Sequence, residues 1–187
     1  MSVAHHRKKQ PALVRSQLLA VATELAARQG MAALTLDAVA GASGVSKGGL
    51  LHHFPSKAAL LDALFDSILT RFDEAIGEAM RSDPVPQGRF SRAYLRVVTG
   101  LRDRPEETRD WAHVAMALQT EPGLRERWRG WVRERSEEYV GTDSSPSAAI
   151  VRFAADGLWL ADLFGSHDMD APTRRSLCDA LLELSTK

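Results

Sequence analysis

Apolar residues recur at intervals of three and four along nearly the whole chain, which is the spacing of helices that bury one face. Strand signals are absent, because no alternation of apolar and polar residues persists and no hairpin turn separates two apolar runs. The single Asp-Gly pair, Asp156-Gly157, lies inside an apolar stretch with helical spacing. The pattern therefore predicts an all-α fold for these 187 residues, of which 44% are hydrophobic and 26% charged.

Prolines, glycines and capping residues divide the chain into nine predicted helices. Pro11 suits a first helical turn and Gly30 a C-cap, while Thr35, Ser46 and Ser56 are good N-caps. Runs of Gly, Pro, Ser and Asp predict three loops, at 82–88, 141–146 and 165–172. The predicted helices cover about 11–29, 36–42, 47–53, 57–80, 90–103, 105–120, 122–140, 147–165 and 173–184.

The segment from Leu36 to Phe54 has the spacing of a helix-turn-helix. Ala40 is small where two helices approach, and Gly44 follows four positions later, where the turn requires a positive φ. Val45 and Leu50 then supply apolar residues at the fifth and tenth positions after Ala40. The pattern predicts that the second helix enters the major groove of DNA, although an ordinary helical hairpin with a polar edge is the alternative.

The distribution of charge supports the DNA-binding interpretation. Residues 1–57 carry a net charge of +5 and residues 58–187 a net charge of −5, although the whole chain is neutral. A basic segment joined to an acidic body suggests that the segment meets a polyanion, and a chance imbalance is the alternative. We predict a DNA-binding domain over 1–57, in which 1–10 form a flexible arm, and a larger helical domain over 58–187.

Four stretches of the N-terminal part resemble, in order and spacing, the DNA-binding domain of the TetR family: Leu25–Gly30, Thr35–Ala40, Gly44–Gly48 and His53–Leu60. The resemblance implies a three-helix DNA-binding domain, a homodimer, a palindromic operator and a divergent C-terminal ligand domain. The chain departs from the family at Gly49, where a hydroxyl residue is usual, and at Leu51, where a tyrosine is usual. The DNA contacts that it implies are Thr35, Ser46, Lys47, Gly48, His52 and Lys57, with Gly49 a weaker candidate.

The residues of the second helix fit contact with DNA. Ser46 and Lys47 stand at its start, where backbone N–H groups and the helix dipole favour phosphate. Gly48 and Gly49 each weaken a helix by about 1 kcal/mol relative to Ala, so we expect them to allow a close approach to the nucleic acid.

The most apolar predicted helix, over residues 147–165, is apolar on nearly all sides, so we expect it to be buried all round. In a small helical domain this favours a subunit interface, and a central core helix of a monomer is the alternative. The predicted dimer-interface residues are Ile150, Phe153, Gly157, Ala161 and Phe164.

All four tryptophans lie in the C-terminal domain, which suggests an apolar effector pocket. The predicted lining residues are Tyr94, Trp111, His113, Met116, Trp131 and Asp156. Asp156 lies within an apolar helix, so it either pairs with Arg152 or a neighbouring helix or faces the cavity. Trp128 stands among arginines and is expected at the surface or at a rim.

The residues predict a ligand-responsive DNA-binding regulator, and the resemblance implies a repressor that binds an operator and is released by a small effector, for which the pocket residues favour an apolar or cationic molecule. A helical adaptor that has lost DNA binding is the alternative, because of Gly49 and Leu51. An enzyme is disfavoured: the histidines have no metal-ligand spacing, Cys178 is the only cysteine, and no phosphate loop or nucleophile motif occurs. We expect no catalytic residue, cofactor or metal.

A membrane location is also disfavoured. No apolar run approaches the roughly 20 residues of a membrane-spanning helix. The basic residues before Pro11 are not followed by the apolar core of a signal peptide, so a cytoplasmic location and no membrane partner are expected.

Overall fold

The computed structural model describes residues 11–30 and 34–186, and those residues are helical almost throughout. They form ten α-helices and a 3₁₀ turn (Leu101–Asp103), with no strand in the described ranges, so the all-α prediction is confirmed. The predicted arm at 1–10 lies outside the described residues. The helices are α1 Pro11–Gln29, α2 Leu36–Ser43, α3 Lys47–His53, α4 Lys57–Arg81, α5 Arg89–Gly100, α6 Pro105–Thr120, α7 Pro122–Glu138, α8 Val140–Asp143, α9 Pro146–Phe164 and α10 Ala171–Leu184.

The structure corrects the predicted count of nine helices at one place. The loop expected at 141–146 begins with the one-turn helix α8. Asp143, at the end of α8, is buried, and its carboxylate accepts hydrogen bonds from the Ser91 backbone N–H and side-chain hydroxyl at 2.8 and 2.7 Å. Glycine, serine and proline predicted a loop, but this contact with α5 orders the segment as a helical turn.

The described residues divide into two compact units, and the boundary lies between Phe65 and Asp66 inside α4. The domain boundary that the sequence places after Lys57 stays a prediction. In the first unit, Leu18 and Ala22 of α1, Val39 of α2 and Leu50 of α3 are fully buried. Burial of one face stabilises the short helices α2 and α3, because isolated helices of eight and seven residues are marginal in water.

In the second unit, α5 packs along α9, and α10 also packs against α9. Leu95 of α5 and Ala148, Val151 and Ala155 of α9 are buried. Across residues 11–30 and 34–186, no helix has both the length and the apolar character that crossing a membrane requires.

A buried ion pair lies beside this core. The Arg92 guanidinium donates to both carboxylate oxygens of Asp83, at 2.7 and 3.1 Å, and both side chains are about 5% exposed. Arg92 also donates to the backbone carbonyl oxygens of Val85 and Gln87, so the loop before α5 is tied to that helix.

Candidate DNA-binding surface and effector cavities

The turn between α2 and α3 has the geometry that the sequence predicts. Gly44 ends α2 with φ +69°, in the left-handed region that favours glycine. The Ser43 hydroxyl donates to the Ala40 carbonyl at 3.2 Å and accepts from the Val45 N–H at 3.3 Å, which fixes the turn. The Ser46 hydroxyl accepts from the Gly49 N–H at 3.2 Å and caps α3.

The two glycines of α3 have different surroundings. A Cβ atom at Gly48 would meet open space, whereas one at Gly49 would lie 3.0 Å from Val45 Cγ1 and 3.2 Å from Ser46 Oγ. Gly49 therefore has a local packing reason to be glycine, since a larger residue would press on the turn. Gly48 has no such reason and leaves a smooth, exposed surface at the start of α3.

The predicted DNA contacts lie mostly on the surface. Thr35, Ser46, Lys47, Gly48 and His52 are exposed, and Gly49 and Lys57 are half-buried. The Thr35 hydroxyl accepts from the Ala38 N–H at 3.1 Å, so it caps α2 as predicted.

On α3, Leu50 is buried, and Lys47, Gly48, Leu51 and His52 are exposed, with Gly48 and His52 on the side opposite Leu50. The Lys47 ammonium lies 2.8 Å from a carboxylate oxygen of Asp37, and both side chains are largely exposed. Leu51 is 37% exposed, which leaves an apolar side chain on this surface.

The second unit contains a cavity of about 280 Å³, the tryptophan-lined cavity. Its aromatic rings pack edge to face, with centroid distances from Phe72 of 4.8 Å to Trp111 and 5.7 Å to Tyr94. Asp156 is the only charged lining residue, and the Trp159 Nε1–H is buried without a hydrogen-bond partner among the described residues. The lining consists of Phe72, Tyr94, Val98, Leu101, Trp111, Val114, Ala115, Leu118, Gln119, Trp128, Asp156, Trp159 and Leu160.

Asp156 is held by Tyr94, whose phenol donates to Oδ1 at 2.6 Å. Burial raises the pKa of the Asp156 carboxyl, and the Tyr94 hydrogen bond and the positive charge of Arg152 act in the opposite direction. Burial, with the nearby carboxylate, also raises the pKa of Tyr94 well above its usual range. The phenol therefore remains a hydrogen-bond donor at neutral pH. Asp156 thus accepts a hydrogen bond from the neighbouring helix α5 and also lines the cavity, and its contact with an effector stays a prediction.

A second cavity of about 470 Å³, the arginine-lined cavity, shares Tyr94, Trp128 and Asp156 with the first. Trp128 and Trp131 stack in its wall, with ring centroids 5.0 Å apart and planes at 14°. Four arginines also line it, from α7 and α9. The lining consists of Phe90, Tyr94, Trp128, Arg129, Trp131, Val132, Arg133, Arg135, Ser136, Arg152, Phe153 and Asp156.

The predicted pocket residues are divided among these cavities. Trp111 lines the tryptophan-lined cavity and Trp131 the arginine-lined one, while Tyr94 and Asp156 line both. His113 and Met116 line neither of the two, and Met116 is 68% exposed. Within the described ranges, no group of three or more His, Cys, Asp or Glu side chains is placed to hold a metal ion.

Sequence reasoning missed Trp128, Trp159, Arg133 and Arg152 as lining residues. Trp128 and Trp131 are three positions apart on one helix, a spacing that puts two side chains side by side and was a usable signal. The surrounding arginines concealed it, because they suggested a solvent-exposed face. Trp159 offered no such signal, because its contact with the cavity depends on how α9 packs.

The predicted interface helix, α9, is buried on one side only within the single chain. Ala148, Val151, Ala155 and Leu158 face the core, and the opposite side is open in the single chain, so the expected burial of this helix on all sides through a subunit interface stays a prediction. Among the predicted interface residues, Ile150, Phe153 and Phe164 are 52%, 77% and 71% exposed, Gly157 is exposed and Ala161 is half-buried. With Leu160, the exposed residues form the apolar α9 face: Ile150, Phe153, Gly157, Leu160 and Phe164.

Two family models match this chain. The model described as "Bacterial regulatory proteins, tetR family" matches residues 18–64, and "Tetracyclin repressor-like, C-terminal domain" matches residues 88–186. The chain belongs to the TetR family of transcriptional regulators. The resemblance that the N-terminal motifs carried is confirmed, and the second match extends it through the C-terminal unit.

Curated relatives are regulators as well. The transcriptional repressor KstR2 of Rhodococcus jostii (strain RHA1) is 34% identical over 104 residues, which are 56% of this chain and 47% of that protein. The regulator BetI of Escherichia coli O127:H6 is 25% identical over 175 residues, 87% of this chain and 89% of that protein. The chain spans about half the length of KstR2 and of EthR from Mycolicibacterium smegmatis.

Solved structures share the fold. A transcriptional regulator of Streptomyces coelicolor A3(2) superposes with a TM-score of 0.75 at 20% identity, over 93% of this chain and 99% of that one. The multidrug binding protein EbrR, in complex with malachite green, superposes with a TM-score of 0.72 at 21% identity, over 91% and 97%.

Proposed function

We propose that the chain is a transcriptional repressor that binds a palindromic DNA operator as a homodimer and is released by a small effector. The observation that carries this proposal is the exposed face of α3, beside a turn whose geometry is that of a helix-turn-helix. A regulator of chromosomal DNA acts in the cytoplasm, which is the location we propose for this one.

In this proposal α3 enters the major groove. Lys47, at the first position of α3, and Lys57, at the first position of α4, contact phosphates and set the register. His52 and Leu51 are exposed and meet base edges, and Gly48 allows close approach because nothing projects from it. Thr35 and Ser46 direct the N-termini of α2 and α3 toward the DNA backbone, while Gly49 maintains the turn.

The apolar α9 face supports the proposed homodimer. Phe153 and Phe164 are largely exposed in the single chain, and contiguous apolar surface of this kind marks an interaction site. Gly157 and Ala161 are small, so the α9 helices of two copies can approach closely. The dimer would place two α3 helices on half-sites about 34–36 Å apart.

The tryptophan-lined cavity supports the proposed effector site for a small apolar or cationic molecule. Five aromatic rings and a single carboxylate would attract a cation through the ring faces and Asp156. EbrR, which shares the fold, has been crystallised with malachite green, in line with a small-molecule site in this architecture.

Helix α4 offers a route from effector to DNA. It starts at Lys57 and carries Phe72, which lines the tryptophan-lined cavity. We propose that the effector favours a position of α4 in which the two α3 helices no longer match their half-sites. To move the population from 1:99 to 99:1, it must prefer that state by about 5.5 kcal/mol.

The test is binding of the protein to its own upstream DNA, followed by fluorescence anisotropy across a salt series. Affinity should fall with salt, and Lys47→Ala should weaken binding and reduce the salt slope by about two, because each of the two subunits loses one phosphate contact. Arg28→Ala is the matched control: Arg28 is an exposed, ion-paired cation of α1, and its loss should change little.

If the upstream DNA does not bind, a random-site selection follows. Should that selection also return no sequence, the DNA-binding proposal fails and the helical adaptor becomes the better hypothesis.

A further inference from the structure

We propose that the arginine-lined cavity is a second ligand subsite, which takes the carboxylate of an organic acid with an apolar stem. The inference rests on the proposed function in that it treats the second unit as the effector domain. It differs in ligand chemistry, because the tryptophan-lined cavity favours an apolar or cationic molecule.

The charge of the lining is the first observation. Four arginines and one aspartate line the cavity, so the lining is positive even when Asp156 is ionised. Arg135 is neutralised within the protein, because its Nε lies 3.1 Å from Asp73 Oδ1 and it also pairs with Glu138. Arg129 lies 3.7 Å from Glu126 and is largely exposed. Among the described residues, the lining arginines with no carboxylate within ion-pair distance are therefore Arg133 and Arg152, although Arg152 also acts at longer range on Asp156.

Arg152 is fixed in the cavity wall and is only partly bonded. Its Nη1 donates to the Ser91 hydroxyl at 2.7 Å and to the Asp143 carbonyl oxygen at 3.2 Å. In the described part of the chain, no carboxylate lies within ion-pair distance, and Nε and Nη2 have no acceptor. A half-buried guanidinium with an unused pair of parallel donors matches the two oxygens of a carboxylate.

Arg133 is the second uncompensated cation. It is exposed on α7, and no carboxylate in residues 11–30 and 34–186 lies within ion-pair distance of it. Two cations from different helices, one held by hydrogen bonds and one exposed to solvent, therefore line one cavity. This arrangement attracts an anion from solution and then holds it at Arg152.

The rest of the lining suits an apolar stem. The stacked rings of Trp128 and Trp131 form one wall, and Val132 and Phe153 lie beside them. The volume, about 470 Å³, falls in the range of roughly 300–1,000 Å³ typical of small-molecule sites. A carboxylate at Arg152 would leave its stem against these rings, close to the wall shared with the tryptophan-lined cavity.

The experiment compares three probes that share one stem: 4-phenylbutyrate, 4-phenylbutanol and 4-phenylbutylamine. Binding to the full chain is measured by isothermal titration calorimetry and by quenching of tryptophan fluorescence. We expect the carboxylate to bind about tenfold or more tightly than the alcohol, because it gains charge-assisted hydrogen bonds. Arg133→Gln and Arg152→Gln should each remove most of that preference.

Two further variants keep the comparison interpretable. Arg152→Lys retains the charge but lacks the pair of parallel N–H donors, so it should lower carboxylate affinity. This variant tests Arg152 even if Arg152→Gln does not fold. Arg109→Gln is the matched control for Arg133→Gln, because Arg109 is also exposed but lies outside the cavity. Thermal unfolding of each variant identifies any that has lost its fold.

The calorimetry needs no DNA, so it separates this inference from the proposed function. A carboxylate preference that depends on Arg133 and Arg152 supports the subsite even if the protein never binds an operator. Equal affinity for the carboxylate and the alcohol, a carboxylate preference that both Gln variants leave unchanged, or no binding of the carboxylate at millimolar concentration would overturn it.

Discussion

At the residue scale, the contact between Lys47 and Asp37 offers a test of the proposed DNA-binding surface. The two charged groups are 2.8 Å apart on the surface that we propose to face DNA. A phosphate and Asp37 therefore compete for the same ammonium. Surface ion pairs of this kind contribute little to stability, so their loss leaves the fold intact.

We predict that Asp37→Asn strengthens DNA binding several-fold at low salt, because Lys47 is released and a negative charge is removed. Fluorescence anisotropy across a salt series measures the change, and the slope should steepen. Glu24→Gln is the control, since it breaks the exposed Arg28–Glu24 pair of α1 and alters the net charge equally. Equal gains in the two variants would show that net charge alone is responsible.

A second residue-scale prediction concerns Asp156. Burial raises its pKa in the folded protein, so the folded state favours the protonated carboxyl. Its contribution to stability is therefore present at low pH and is lost as the pH rises through the raised pKa. Asp156→Asn cannot ionise and still offers an oxygen to the Tyr94 phenol. The melting temperature of the variant relative to the native chain should thus increase from about pH 4 to pH 7.

Asp83 provides a control, because its contribution to stability should change with pH in the opposite direction. The hydrogen bond from Arg92 lowers the pKa of Asp83, so its contribution is present above the usual Asp pKa and is lost as the pH falls through the lowered value. Asp83→Asn should therefore be least stable, relative to the native chain, near neutral pH. Circular dichroism melts over the same pH range test both variants. If the difference in melting temperature from the native chain changed with pH in the same way for both, the opposite pKa shifts assigned to the two carboxyls would be contradicted.

At the element scale, Asp143 joins three helices. It belongs to α8, its carboxylate caps the N-terminus of α5 through Ser91, and its backbone oxygen accepts from Arg152 of α9. Asp143 is buried, so its removal leaves donors without partners. The residue that caps α5 lies more than fifty positions away in the sequence, so the cap also holds these helices together. A local capping residue would not do so.

We predict that Asp143→Ala lowers the free energy of unfolding by about 2–4 kcal/mol, because the buried backbone N–H and hydroxyl of Ser91 lose their carboxylate acceptor. Urea denaturation should show a lower midpoint with an unchanged slope. Ser145→Ala removes the local N-cap of α9 and serves as the comparison, with an expected loss of about 1 kcal/mol. A similar loss in both variants would mean that the tertiary cap adds nothing to an ordinary one.

The same contrast explains which elements could be predicted from sequence. The ends of α2 and α3 followed from Thr35, Gly44 and Ser46, because each residue acts on its own helix. Helix α8 did not, because its order depends on a distant contact. The cavities were predictable only in outline: the tryptophans indicated an aromatic pocket, but which rings share a wall depends on how α5, α7 and α9 pack.

At the scale of the whole molecule, the apolar α9 face and the arginine-lined cavity share Phe153. If two copies associate through this face, the partner covers one wall of the proposed carboxylate subsite. Ligand affinity and dimer affinity are then coupled, because binding of one changes the free energy of the other by an equal amount.

The last prediction tests the proposed dimer with Phe164→Asp, which alters the exposed end of the face and leaves both cavity linings intact. A carboxylate there would be buried unpaired in the interface. The free energy of dimer association should therefore weaken by about 2–4 kcal/mol, which raises the dissociation constant roughly 30- to 1,000-fold. Met116→Asp is the control, since Met116 is 68% exposed on α6, outside the face. Sedimentation equilibrium should find a dimer for the native chain and Met116→Asp and a monomer for Phe164→Asp.

The loss of the dimer has consequences for both proposed ligands. Because a palindrome requires two α3 helices, the monomer should also lose operator binding. Its calorimetric affinity for 4-phenylbutyrate should fall only as far as the partner contributes to the cavity wall. A dimer that persists in Phe164→Asp would place the subunit contact on another surface.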